Sequence, residues 1–400
     1  MQNLRDLKDE HLIKVVVGLR RAGKSTLLEM FADEIRQQTP DAPIQFLNFE
    51  DPDIFAIGDW KQVYDYIKVR LVADKMNYLF LDEIQNIPVF ERLVDGLFLK
   101  KNVDIYITGS NAQLLSGELA TLLTGRYVEI EILPFSFAEW MESSKNSPNF
   151  AKNESLANFL RNGAMPQSVT LVNSTGKTNT ASSFVRGVLN TIIEKDIFKR
   201  HGVNNKTAFY KVLDFVFDSI GSIVSPRSIA DTLRSNGIII DKFTVTNYLS
   251  YLVEVFILYK VQRYDVRGKR LLQTLDKYYL ADTCFRLVRL GKKTVEDRGH
   301  LLENAVYLEL RRRNHEVYVG KTRDKEVDFV TIDHNGYVSY YQVAYSVLDE
   351  GTLKRELTPL KEIRDSNPKY LLSADEDVNP VFNGIRKLNV VDWLLSKTNN

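Results

Sequence analysis

The stretch Gly18-Leu-Arg-Arg-Ala-Gly-Lys-Ser25 decides how this chain is read. Two glycines, a lysine and a hydroxyl at this spacing match the phosphate-cradling pattern G-x-x-x-x-G-K-[ST], which works only between a strand and a helix. That context is present. A mostly apolar run from Leu12 to Val17 comes before it, and Leu27, Leu28, Phe31 and Ile35 follow at helical spacing. Glycine lets the backbone approach phosphates closely enough for N–H groups to point at them. The expected nucleotide-binding positions are therefore Gly18, Leu19, Arg20, Arg21, Ala22, Gly23, Lys24, Ser25 and Thr26. Lys24 is expected on the β- and γ-phosphates and Ser25 on Mg²⁺, with the positive end of the helix dipole adding attraction.

A second motif, Tyr78-Leu-Phe-Leu-Asp82-Glu83, is an apolar strand ending in two carboxylates. An aspartate at such a strand end reaches Mg²⁺ beside the phosphate loop, which assigns Asp82 to the metal and to the nucleotide site. The adjacent Glu83 suits orienting and polarising an attacking water, so the pair reads as ATP hydrolysis. Further strands are expected at Pro43 to Phe49, at Val103 to Thr108 and at Tyr127 to Ile132. Ser110 and Asn111 leave the second of these runs as candidate sensors of the γ-phosphate, or as a polar turn capping a helix. Arg126, in Leu123-Thr-Gly-Arg126, ends the helix before the last strand. It reads either as an arginine supplied to a neighbouring subunit, worth about 10³ to 10⁵ in rate, or as a surface salt bridge.

Taken in order, GLRRAGKS, YLFLDE, ITGSN and LTGR resemble the ATPase core of the AAA+ class, in particular its archaeal-type and signal-transducing relatives. Arg161-Asn-Gly163-Ala-Met-Pro166 resembles the lid motif of those relatives, in which the resemblance puts Pro166 near the nucleotide base. The order of motifs is similar to that of a prokaryotic ATPase family with a C-terminal domain of unknown function. This resemblance implies a P-loop parallel-sheet core (1–134), a helical lid (135–205), a winged helix (206–285) and an α/β domain of the PD-(D/E)xK nuclease fold (286–400).

Length and composition fit two to three soluble domains: 400 residues, 44% hydrophobic, net charge +1. No run approaches eighteen apolar residues and the first residues, MQNLRDLKDEH, are charged, which argues against a signal peptide or a membrane span. A single cysteine, Cys284, excludes an intrachain disulfide framework and points to a reducing cytoplasm. With a pI near 7.7, any nucleic-acid surface must be local.

Beyond polar breaks near Ser143 to Asn153 and Asn173 to Thr180, the run from Ser182 to Arg200 reads as a long helix. From Phe209 to Leu280 the pattern is helix, helix, helix, hairpin. The helices are expected at Tyr210 to Ile220, after Ser225-Pro226, and at Asp241 to Val255; the hairpin turns at Arg267-Gly268-Lys269-Arg270. A winged helix would offer Lys242, Thr244, Thr246 and Asn247 to a major groove and the cations Arg267, Lys269 and Arg270 to phosphates. Such a domain can equally serve packing or oligomerisation.

In the last hundred residues Glu303 lies on a helix-like run and Asp328 on a strand-like one, matching the first two positions of the nuclease core. Where that core has glutamate, any residue and lysine, this chain has Gln342-Val343-Ala344. Glutamine coordinates through its carbonyl oxygen but adds no charge, and alanine cannot position water. A degenerate centre with weak or absent cleavage is expected. Arg311-Arg312-Arg313, with Lys321, Arg323 and Lys325, reads as a phosphate-binding patch or as an ordinary solvated helix end. The sequence as a whole predicts an oligomeric, ATP- and Mg²⁺-dependent ATPase acting on DNA, structured DNA included. The alternative is a nucleotide-dependent assembly switch acting on a protein partner without DNA.

Overall fold

The computed structural model describes residues 1–112, 123, 125–144, 152–291, 297–313, 315–376 and 380–396. Its backbone contacts divide it into two compact units, Met1–Ile132 with Glu254–Phe256, and Leu133–Val253 with Ile257–Asn400.

In the first unit, β1 (Ile13–Val17), β2 (Ile44–Asn48), β3 (Asn77–Asp82), β4 (Val103–Gly109) and β5 (Tyr127–Glu131) form one sheet in the order β2-β3-β4-β1-β5. Every pairing in it is parallel. Strands β1, β3 and β4 are buried along their whole length, which is why they read as continuous apolar runs instead of alternating ones. The helix Lys24–Gln38 lays Leu28, Phe31, Ala32 and Ile35 against Val16, Phe80, Tyr106 and Ile130 of the sheet. Lys14 breaks the apolar run of β1 and is fully buried. It is held by the Glu10 carbonyl at 2.6 Å and by Asp104 at 2.5 Å. Removing one partner of such a pair leaves an uncompensated charge, at about 3–5 kcal/mol.

The second unit begins with helices Phe137–Ser143, Lys152–Asn162, Pro166–Thr175 and Thr178–Thr191; the last runs on through a wider-wound stretch, Ile192–Phe198, to His201. The glycine of the Arg161–Pro166 motif has a local reason. Gly163 has φ +74°, and a Cβ there would lie 1.8 Å from an Asp282 carboxylate oxygen. That carboxylate accepts from Ala164 N at 2.7 Å. Pro166 opens its helix, where a missing N–H costs nothing.

Helices Lys206–Asp218, Pro226–Ser235 and Lys242–Glu254 follow, with β6 (Ile223–Val224) between the first two and the hairpin β7 (Leu258–Asp265) and β8 (Arg270–Leu280) after the third. Ser225 caps the second helix by accepting from Ser228 N. The C-terminal part carries the helix Arg298–Arg312, β9 (Glu316–Lys321), β10 (Glu326–Ile332), β11 (Val338–Ala344), the helix Glu350–Lys361, β12 (Lys369–Ser373), β13 (Val381–Phe382) and β14 (Ile385–Asn389).

The boundaries expected at 205 and 285 fall inside this unit, because β7 pairs in parallel with β9 through Arg263 and Val319. One nine-stranded sheet, β13-β14-β12-β11-β10-β9-β7-β8-β6, therefore runs through the hairpin and the C-terminal part alike. Arg312 and Arg313 are bonded within this unit. Arg312 donates to the Pro134 carbonyl at 2.7 Å; Arg313 donates to Glu309 at 2.9 Å and to the Trp393 carbonyl at 2.7 Å. The reading of this stretch as a phosphate patch is corrected accordingly.

Candidate functional site

The loop between β1 and the helix Lys24–Gln38 is shaped by its glycines. Gly18 has φ +140°, and a Cβ there would come within 2.2 Å of the Ile132 carbonyl oxygen, so no side chain fits. Gly23 caps the helix in the left-handed conformation, and Ala22 N closes the loop on Leu19 O at 3.1 Å. Lys24, almost wholly buried, folds back onto the carbonyls of Gly18 at 3.0 Å and Leu19 at 3.2 Å. Arg20 pairs with Glu50 at 2.6 Å, and Arg21, exposed, has φ +66°.

Strand β3 brings Asp82 to the same end of the sheet. One of its oxygens, Oδ1, accepts from Ser25 Oγ at 3.1 Å and from Thr108 Oγ1 at 2.6 Å. The other, Oδ2, is buried with no hydrogen-bond partner. Leaving such an acceptor unsatisfied costs about 1–3 kcal/mol, more when it is charged. Burial pushes the Asp82 carboxyl above its ordinary range, against the lowering effect of the Thr108 and Ser25 hydroxyls; neighbouring Glu83 pushes the same way as burial. A bound divalent cation would reverse that balance. An orphaned carboxylate oxygen beside a serine hydroxyl is the donor set Mg²⁺ takes, so these residues fit the metal.

Glu83 adopts a left-handed backbone, φ 52° and ψ 47°, a conformation that costs a non-glycine residue of the order of 1 kcal/mol and needs support from its surroundings. Support comes from Thr108, whose Oγ1 accepts from Glu83 N at 2.8 Å. The Glu83 side chain accepts from Gln85 Nε2 at 2.5 Å and from Ser110 Oγ at 3.3 Å, and lies 4.0 Å from Lys24 Nζ. Thr108 thus binds both carboxylate residues at once, Asp82 by its side chain and Glu83 by its backbone.

Of the residues expected from sequence, the structure brings together Lys24, Ser25, Asp82, Glu83 and Ser110. Asn111 is buried but donates instead to Glu254, of the same unit, at 2.9 Å. Arg126 pairs with Asp95 at 2.7 Å and its guanidinium lies 5.5 Å from the Phe98 ring centre, the salt-bridge alternative of the two read from sequence. The expectation that Arg126 ends a helix bears mainly on residues 113–122, which lie outside the described residues. Pro166 belongs to the second unit. Thr108 and Gln85 were missed. Thr108 stood at the end of the VDIYIT run as its last side chain, and Gln85 lies two residues beyond the carboxylate pair.

In the second unit Lys242, Thr246 and Asn247 are exposed on the helix Lys242–Glu254, while the Thr244 hydroxyl is taken by Asp241 at 2.6 Å, as a capping contact. That removes Thr244 from the free positions expected to face a groove. Arg267, Lys269 and Arg270 are exposed at the tip between β7 and β8. Glu303, Asp328 and Gln342 line one pocket of 790 Å³, joined there by Lys277 and Glu356.

Residues 10–141 match a family model described as AAA domain, and residues 153–296 match one described as a domain of unknown function (DUF8612). An uncharacterized protein of Haemophilus influenzae is 36% identical over 398 residues, spanning 99% of this chain and 97% of its own length. The chain belongs to the family of that protein. An uncharacterized protein of Methanocaldococcus jannaschii is 29% identical across 95% of this chain and 85% of its own. Among solved structures, a Walker-type ATPase of Pyrococcus abyssi aligns with a TM-score of 0.49 at 14% identity, over 72% of this chain and 94% of that one. The first unit is thus an AAA-type nucleotide-binding domain with a parallel P-loop core. Among the described residues, no helix is long and apolar enough to cross a membrane.

Proposed function

We propose that this protein is an ATP-hydrolysing AAA-type ATPase that works as an oligomer on DNA. The hydrolytic part rests on one observation, the unpartnered Asp82 Oδ2 set beside Ser25 and next to Glu83. Lys24 and the loop amides from Gly18 to Thr26 would hold the phosphates, and Ser25 and Asp82 would hold Mg²⁺, which would supply positive charge against the phosphates. Glu83 takes a proton from the attacking water; its lone pairs are kept in place by Gln85 and Ser110. Ser110 reports on the γ-phosphate through that same hydrogen bond. Arg126 leaves Asp95 to complete a neighbour's site.

For DNA, the reading assigns a winged helix to Lys206–Leu280, with Lys242 and Asn247 on the groove-facing helix and Arg267, Lys269 and Arg270 on the wing. A second reading has its own observation. Ile239 is 88% exposed and Phe243 71% exposed just before and within the start of that helix. Apolar side chains so placed suit a protein partner, which makes the nucleotide state an assembly switch. For the C-terminal part, the helix Arg298–Arg312 followed by β9, β10 and β11 supports the PD-(D/E)xK-like reading, and with Ala344 where that reading expects lysine, cutting is not assigned to it. ATP turnover measured with single-stranded, duplex and branched DNA separates the two readings. Stimulation by any of them supports the first, and no response to all three supports the switch.

A further inference from the structure

On the other face of β11 from Gln342 lies a second pocket, of 490 Å³, built from aromatic rings. Successive side chains of a strand alternate, so Ser339 and Tyr341 face away from Tyr340 and Gln342. Parallel pairing sets Tyr341 opposite Tyr370 of β12, and the two rings stack with centres 5.0 Å apart and planes inclined by 23°. Trp393, on the helix Val390–Leu395, closes one side, its ring centre 6.1 Å from that of Tyr341 and its plane inclined by 56°. Tyr341 is buried, whereas Tyr370 and Trp393 are only half-buried where they line the pocket.

An aromatic cluster by itself is ordinary core, and two observations separate this one from it. The Arg313 guanidinium lies 4.2 Å from the Trp393 ring centre and is anchored by its bonds to the Trp393 carbonyl at 2.7 Å and to Glu309 at 2.9 Å. The indole is thereby held at the pocket edge, tilted against the tyrosine pair. His315, also on the pocket wall, has its Nδ1 buried without a hydrogen-bond partner. Burial moves the His315 pKa below the usual histidine range, against the opposing pull of Asp333, so the imidazole is uncharged at neutral pH. An uncharged ring nitrogen can donate or accept according to its tautomer. A wholly apolar occupant would leave it unsatisfied, which is costly, whereas a flat ligand with a polar edge would not.

Ring faces for stacking with a hydrogen-bonding group at the edge are what an unstacked nucleobase requires. Cations for the attached phosphate stand nearby. Arg386 is exposed on β14, in register with Tyr370, and exposed Lys152 bridges to Asp392 of the pocket wall at 2.7 Å.

We propose that this pocket takes one unstacked nucleobase, stacked against Tyr370 and Trp393 and hydrogen-bonded at its edge by His315. A single strand as the source of that base rests on the proposed action on DNA; a free nucleotide is the other source of the same chemistry.

The test is calorimetry on the full chain carrying Lys24→Ala, which removes the phosphate-loop lysine, with two probes at one salt concentration: a short mixed-sequence single strand and the deoxynucleoside monophosphates. The strand is expected to bind, Tyr370→Ala to weaken it about tenfold or more, and Tyr370→Trp, which restores a stacking face, to bring the affinity back. Monophosphate binding that depends on Tyr370, without strand binding, keeps the pocket and breaks the DNA reading. A strand bound equally with and without Tyr370→Ala keeps the DNA reading and overturns the pocket. Neither probe bound at millimolar concentration also overturns it, and N-acetyltryptophanamide bound in their place would assign the pocket to a side chain of a protein partner.

Discussion

Asp82 and Asp328 are both buried aspartates on strands, but their neighbours balance them in different ways. Around Asp82 the near partners are neutral hydroxyls, Ser25 and Thr108, and one oxygen is unpartnered. Around Asp328 the charge is met by other carboxylates and by a lysine fixed in ion pairs. Hydroxyls exchange partners cheaply as a nucleotide and its metal come and go. A buried lysine between two glutamates does not, because separating it strands charge in a poorly solvating interior. On the proposed hydrolysis, the first region is the one whose partners change with each turnover, and the second is held by its ion pairs.

That contrast can be broken at several points. The largest effect belongs to Arg126→Ala: on the proposal that this arginine is supplied to a neighbouring subunit, ATP turnover is expected to fall by about 10³ to 10⁵ with nucleotide affinity kept. Mixing that variant with Lys24→Ala chains should restore part of the activity; no recovery at any ratio would confine Arg126 to its bond with Asp95. Next comes Lys277→Met, expected to lower unfolding free energy by about 3–5 kcal/mol in a denaturant titration by leaving Glu303 buried without its cation. A loss under about 1 kcal/mol, the scale of an exposed ion pair, would show that the second region is not held by this charge.

Thr108→Val keeps the shape and removes both of its bonds. Hydrogen bonds to charged groups are worth about 1.5–3 kcal/mol, so turnover should fall roughly tenfold to a hundredfold, and the melting temperature should fall too because the buried Glu83 N–H loses its acceptor. A variant with unchanged turnover would leave the coupling of Asp82 to Glu83 without a role. The smallest effect is at the hairpin tip. Replacing Arg267, Lys269 and Arg270 by alanine should flatten the salt dependence of DNA binding, by about one unit of slope for each of these cations that pairs with a phosphate, and leave both aspartate sites intact. Unchanged binding would assign the hairpin to packing.

The ATP site was legible because its parts are contiguous: a strand, a glycine loop and a helix in one run, and two carboxylates at the end of another. Its second layer was not. Thr108 matters because parallel pairing sets β4 beside β1 and β3, with Thr108 opposite Val16, a register that no local pattern encodes. The helices and hairpin between Lys206 and Leu280 were readable from periodicity and from the Ser225 cap, yet the merger of that hairpin with the C-terminal sheet depends on Arg263 meeting Val319. The pocket shows the same limit most sharply. Glu303, Asp328 and Gln342 could be placed by motif, whereas Lys277 and Glu356 come from a strand and a helix outside it. For Arg311 to Arg313, composition suggested a ligand and packing supplied the partners.

The central claim is that Glu83 activates water beside a metal-bound Asp82. Phosphate release from Mg·ATP, measured for the native chain and for Glu83→Gln on preparations shown to bind ATP equally, tests it most directly. The account predicts a loss of about 10²-fold or more with binding preserved. Turnover within a few-fold of the native rate would contradict it.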